Sequence, residues 1–180
     1  MPTETLRPDG DIAAGGWTTV PLFSKVNDQS DVASIGAGGL DPIDCLISFP
    51  TPSIATAGYI TAFTLRVRAR LDAGAPSLIA QLIHGDGAGG IVALLGDGLF
   101  MFSLTGSFVF YEEIESPFTF TEAQLANLEV DLDAVSGVPD TTVVSQVELV
   151  LTYSDVWTQD GEPAGSWTQD SEPAGSWVQD

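Results

Sequence analysis

The segment from Ile60 to Leu71 reads ITAFTLRVRARL, and its alternation constrains the chain more than any other feature. Leu65, Val67, Ala69 and Leu71 take one parity, while Thr64, Arg66, Arg68 and Arg70 take the other. A side-chain period of two places these sets on opposite faces of an extended strand, whereas a helix would scatter them around its surface. Further apolar runs lie at Cys45 to Phe49, Leu78 to His84, Leu99 to Leu104, Phe108 to Ile114, Leu128 to Leu132 and Val143 to Tyr153. Clusters such as PTPS, DAGAP, GDGAGG and SGVPD bound them, and their Gly, Pro, Asp and Ser residues are those that turns demand. Many short strands without long helical stretches between them predict an all-β, antiparallel sandwich over residues 1–153. One short helix is expected within Thr121 to Leu128, where Thr121 and Gln124 form a capping box. The polar, small-residue stretch from Lys25 to Gly39 reads as a long surface loop.

Residues 154–180 are different in kind. VWTQDGEPAG, SWTQDSEPAG and SWVQD make a ten-residue repeat carrying Trp157, Trp167 and Trp177. Its Glu-Pro-Ala-Gly steps suit type I turns, with Pro second and Gly fourth. Two and a half repeats are too few to stack into a self-supporting solenoid. The segment is therefore expected to act as an acidic docking arm whose three indoles bind partner surfaces.

Composition narrows the function. Five basic residues stand against 25 acidic ones, for a net charge of −20, so the chain lacks the basic face that nucleic acid requires. Sixteen acids are Asp and Lys25 is the single lysine, a balance suited to a saline or halophilic setting where screening is short-ranged. Cys45 has no disulfide partner, and with His84 as the single histidine no Cys/His zinc set can form. The N-terminus MPTETLRPDGD has neither the basic start nor the apolar run of a signal peptide, and no apolar stretch is long enough to span a bilayer as a helix.

Motifs with catalytic potential have simpler readings. Gly85, Gly87 and Gly90 spell G-x-G-x-x-G, but no helix follows within a βαβ unit, so a β-turn is expected and no cofactor. The Asp86 and Asp97 loops lack the ligand ladder of a calcium loop. Glu113 and Glu115 share a strand face, yet read as a solvated strand end rather than a hydrolytic pair. His84 has no G-x-S-x-G nucleophile to serve. No enzymatic site is expected. Arg66, Arg68 and Arg70 stand out in so acidic a chain, either as a partner-facing row that meets carboxylates or as a solvated face that balances the local field.

The opening TLRPDGD at Thr5 to Asp11, the GGWTTV and KVND segments, and then FTLRVRARLD, TEAQLANLEVDLDAV and VSQVELVLTY resemble, in order and character, small virion-associated structural proteins of tailed phages and related viruses. The resemblance implies a jelly-roll sandwich and a non-enzymatic virion component. It would be a capsid decoration or tail accessory subunit, assembled in the host cytoplasm, whose partners are other virion proteins and copies of itself. The alternative is a carbohydrate- or receptor-binding adhesion module that meets a host-surface glycan, although Trp17, Tyr59 and Tyr111 form no visible aromatic platform in the sequence. Neither reading requires a cofactor, nucleic acid or membrane insertion.

Overall fold

A computed structural model describes residues 1–18, 20–27, 31, 33–39, 43–53, 59–73, 77–96, 100–135 and 140–154. Trp157, Trp167 and Trp177, with the rest of the repeat arm beyond Ser154, lie outside the described residues, as does Asp97. In chain order the first elements are β1 (Thr3–Leu6), β2 (Gly10–Ala13), β3 (Trp17–Thr18), helix α1 (Phe23–Val26), β4 (Ile35–Gly39), β5 (Ile43–Ser48) and β6 (Ile60–Ala73). There follow β7 (Ser77–Gly85), β8 (Ile91–Leu94), β9 (Phe100–Ser103), β10 (Val109–Glu115), helix α2 (Glu122–Ala126), β11 (Leu128–Val135) and β12 (Asp140–Tyr153).

The strands form two antiparallel sheets. The first runs β10-β6-β12-β4-β3, with β1 added beside β12, and the second runs β2-β5-β11-β7-β8, with β9 added beside β7. Leu65, Val67 and Ala69 of β6 and Val147, Leu149 and Leu151 of β12 point inward from the first sheet. They meet Cys45 and Ile47 of β5, Leu78, Ala80 and Leu82 of β7, and Val130 and Leu132 of β11. Both inner faces are apolar and buried, as a jelly-roll-like sandwich requires. The expected all-β sandwich is thus the fold, and the alternation of β6 is what aims its arginines outward.

Helix α2 forms where its capping box predicts. Gln124 N–H donates to Thr121 Oγ1 at 3.3 Å, and Thr121 N–H donates to Gln124 Oε1 at 2.7 Å. The helix carries the chain from β10 of one sheet to β11 of the other, with Leu125 buried beneath it.

Two features of the first forty residues correct the sequence reading. Lys25 to Gly39 is not one surface loop: Val26 is buried on a second helix, α1, and Ile35 and Ala37 are buried on β4, which pairs with β12. The stretch IGAGG has too little side-chain bulk to show a period, yet its small residues let Trp17 lie directly opposite Ala37 and be buried there. Helix α1 lacks a local cap signal because its cap comes from β2. The Asp11 carboxylate accepts from Leu22 N–H at 2.7 Å and Phe23 N–H at 2.8 Å. The short strands β1, β2, β3 and β8 likewise lie outside the runs singled out in the sequence.

Candidate binding face on the first sheet

Register builds this site. On the outer face, Arg66 of β6 is opposite Glu112 of β10 on one side and Glu148 of β12 on the other, and Arg68 is opposite Phe110 and Gln146. Each row therefore crosses three strands, and cross-strand neighbours on one face are close enough to interact directly. Glu148 is the centre: its side chain is only 5% exposed. One oxygen accepts from Arg7 Nη2 at 3.0 Å and Gln146 Nε2 at 2.7 Å, and the other from Arg66 Nη1 at 3.0 Å. Arg66 also donates from Nε to exposed Glu112 at 2.7 Å.

Arg68 makes a fork with Asp31, Nε to Oδ1 at 2.8 Å and Nη2 to Oδ2 at 2.7 Å. This bond with the Arg68 guanidinium, opposed by desolvation and helped by the Ser145 hydroxyl, holds the Asp31 carboxyl below its ordinary range. Ser145 donates to Asp31 Oδ1 at 3.0 Å from the irregularity of β12 between Val144 and Gln146. Arg70 pairs with Asp72 at 2.7 Å. The three guanidiniums also interleave with two rings. Arg66 lies 4.5 Å from the Phe110 centroid, Arg68 lies between Phe110 and Phe108 at 5.4 and 5.7 Å, and Arg70 is 4.9 Å from Phe108.

Asp31, Arg66, Arg68, Phe110, Gln146 and Glu148 line an open groove of about 370 Å³. Its ionised groups, together with Arg7 and Glu112 at its margins, carry as many positive as negative charges. All three arginines of the row thus face outward, and each has a carboxylate partner within its own chain. Asp31, Phe110, Gln146, Glu148 and Arg7 were not singled out from sequence. Gln146 and Glu148 did carry a signal, as polar residues two apart in the apolar run VVSQVELVLT. Asp31 carried none, since it meets Arg68 across 37 positions.

Other sequence candidates fall elsewhere. Gly85 ends β7, and Gly87 and Gly89 take left-handed φ values of 73° and 100° in the turn to β8, so this glycine motif is a hairpin connection. Asp86 closes that turn by accepting from the N–H groups of Ala88 and Gly90, each at 2.8 Å. Glu113 and Glu115 lie on the opposite side of β10 from Glu112. Trp17 is buried in the core, and Tyr59 and Tyr111 pack against it. No cluster of His, Cys, Asp and Glu suited to a metal occurs among the described residues, and no helix there is long and apolar enough to cross a membrane.

The outer face of the second sheet carries a different charge pattern. Glu129, Asp131 and Asp133 follow one another on central β11, and all three carboxyls have raised pKa values, chiefly from desolvation. Burial, then Asp44, then Asp133 push Asp131 up to about 6. A carboxyl whose native pKa is raised binds its proton more tightly folded than unfolded, so its ionisation costs stability as pH rises through about 6. Asp131→Asn is expected to stabilise the protein at pH 8 by about 1 to 2 kcal/mol, a value discounted for the solvent that reaches this half-buried side chain. The gain should disappear near pH 3, below both pKa values, where both states largely hold the proton; urea titrations at the two pH values check it, and an equal gain at both would refute the linkage.

No protein-family model and no curated protein sequence matches the chain. Among solved structures it is similar to TmCBM61 in complex with beta-1,4-galactotriose, at 8% identity over 85% of this chain and 89% of that chain, with a TM-score of 0.46. It is also similar to the C-terminal CBM6 of LamC, a marine laminarinase from Zobellia galactanivorans, at 10% identity over 84% and 100% of the two chains, with a TM-score of 0.46. A third likeness is to the enzymatically active domain of bacteriophage CBA120 tailspike protein 4, at 16% identity over 84% of this chain but 19% of that one, with a TM-score of 0.45. These are likenesses of chain path, and the fold assignment rests on the strand pairings themselves.

Proposed function

We propose that the protein is a non-catalytic glycan-binding module that holds a neutral sugar chain in the groove around Arg66, Arg68, Gln146 and Glu148. The observation that carries this reading is the groove's balanced set of planar guanidinium, carboxylate and amide groups beside Phe110, which keeps 37% of its surface exposed. Sugar hydroxyls both donate and accept, so they suit a surface that offers both functions with no net charge; a phosphate or an acidic polymer would meet as many carboxylates as cations. The part of the Phe110 ring left exposed beside the guanidiniums supplies a small apolar surface for sugar C–H groups. The side chains are already held by one another, so little rotamer freedom remains to be lost on binding.

Display on a virion, in several copies anchored through the repeat arm, is the assembly role that the sequence resemblance suggests for such a module. Multiple copies would add avidity to weak single-site binding.

Affinity electrophoresis through gels containing soluble β-galactan, β-mannan, xylan or laminarin tests the proposal. The protein should be retarded by at least one polymer, equally in low and high salt. Arg68→Ala and Phe110→Ala should each weaken that retention about tenfold, equivalent to ~1.4 kcal/mol. Migration unchanged in every polymer, or retention indifferent to both substitutions, would sink the reading.

A further inference from the structure

The outer face of the first sheet continues past the arginine groove. Rows of cross-strand neighbours succeed one another along β6: Arg68 with Phe110 and Gln146, Arg66 with Glu112 and Glu148, Thr64 with Ile114 and Val150, and Ala62 with Thr152. The first two rows build the arginine groove, and the last two border a second groove of about 520 Å³. Thr64 and Val150, which stand between the grooves, are short, uncharged and half-buried. Both grooves therefore lie along one line of the sheet.

The second groove offers hydroxyls where the first offers ions. Thr61, Ser116, Thr152 and Ser154 line it together with apolar Ala62 and Ile114, and none of its lining side chains is charged. A hydroxyl both donates and accepts, so it matches a sugar hydroxyl in either sense, whereas an ionic ligand would find no charged side chain to meet it. Ser154 Oγ is buried and has no hydrogen-bond partner among the described residues, so part of this polar wall is left for a ligand to satisfy. Ile114 is 63% exposed and presents to sugar C–H groups the kind of apolar contact that Phe110 presents in the first groove. From Arg68 to Ala62 is six residues of strand at about 3.3 Å each, so the track is about 20 Å long, room for a chain of about four sugars.

We propose that the two grooves are consecutive stretches of one binding track. The protein then selects a linear neutral glycan laid along β6, long enough to fill both, rather than a single sugar or a short terminal unit. The arginine groove orients one part of the chain, and the hydroxyl-lined groove takes the next. This inference rests on the glycan reading and specifies the length and shape of what that site binds.

Isothermal titration of the full-length chain with β-1,4-galacto-, β-1,4-manno-, β-1,4-xylo- and β-1,3-gluco-oligosaccharides of two to six residues tests it. In a series that binds, affinity should rise about tenfold or more between two and four residues and level off beyond. Ala62→Arg fills the second groove, and Ile114→Ala removes its apolar contact. Each should lower tetramer affinity several-fold and leave dimer affinity at the parent's value, which also shows that the variant is folded. Affinity already level at two residues, or tetramer affinity indifferent to both substitutions, overturns the extended track and leaves the arginine groove as the glycan site. Binding of no oligosaccharide in any series overturns the glycan reading, and this inference with it.

Discussion

Glu148→Ala is expected to lower the unfolding free energy by about 3 kcal/mol, because it removes the shared acceptor of a nearly dry polar network. The carboxylate is nearly fully buried: it accepts from Arg7, Arg66 and Gln146, which reach it from the residue after β1, from β6 and from β12 itself, respectively. Its removal leaves the buried Gln146 amide without that acceptor and separates Arg7 from the sheet, and an unpaired buried donor costs more than the bond was worth. Arg66 keeps exposed Glu112, so the loss on its side is smaller. Glu148→Gln retains an acceptor oxygen while removing the charge, and is expected to lose roughly half as much. Urea midpoints at constant m-value measure both. A loss under about 1 kcal/mol for the alanine variant would mean that water replaces the carboxylate and the network is no more than a surface pairing. The same variant should lose glycan retention, since Arg66 and Gln146 are then no longer held in place.

The second large effect is expected in the core. Phe63→Ala should cost about 3 to 5 kcal/mol, the usual consequence of emptying a well-packed aromatic site. Phe63 is fully buried on β6, edge-on to Phe118 at 5.0 Å and tilted against Phe120 at 5.7 Å, and those two rings meet each other at 4.7 Å. The cluster attaches the segment between β10 and α2 to the first sheet, where Phe118 N–H donates to Thr61 O at 2.9 Å. The variant should therefore lose hydrogen-exchange protection in residues 117–126 before global unfolding. Phe63→Leu retains most of the volume and is expected to lose less than half as much. Equal losses for the two variants would show that the ring contacts themselves, and not the buried volume that Leu retains, hold the site together.

How much of this was legible depended on how local each signal was. The inward set of β6, the partner runs on β7, β11 and β12, and the capping box of α2 could all be read from residues a few positions apart, because strand period, turn chemistry and capping act over that range. Strand β4 could not. IGAGG has no alternation of bulk, and it becomes a strand because the start of β12 offers it an edge and Trp17 covers it. Helix α1 was hidden for a related reason, as its capping carboxylate arrives from β2.

The arginine row shows the same division at the candidate site. Its outward aim follows from alternation alone, and sequence by itself determined that three guanidiniums would share one face of a strand in an acidic sandwich. It left open whether that face awaited a partner or balanced a local field. Tertiary structure decided which groups stand beside each arginine: Glu148 lies 82 positions from Arg66, and Asp31 lies 37 from Arg68. Those pairings depend on strand register and on the path of a loop, and both are set by the packing of the whole core rather than by any short stretch of chain.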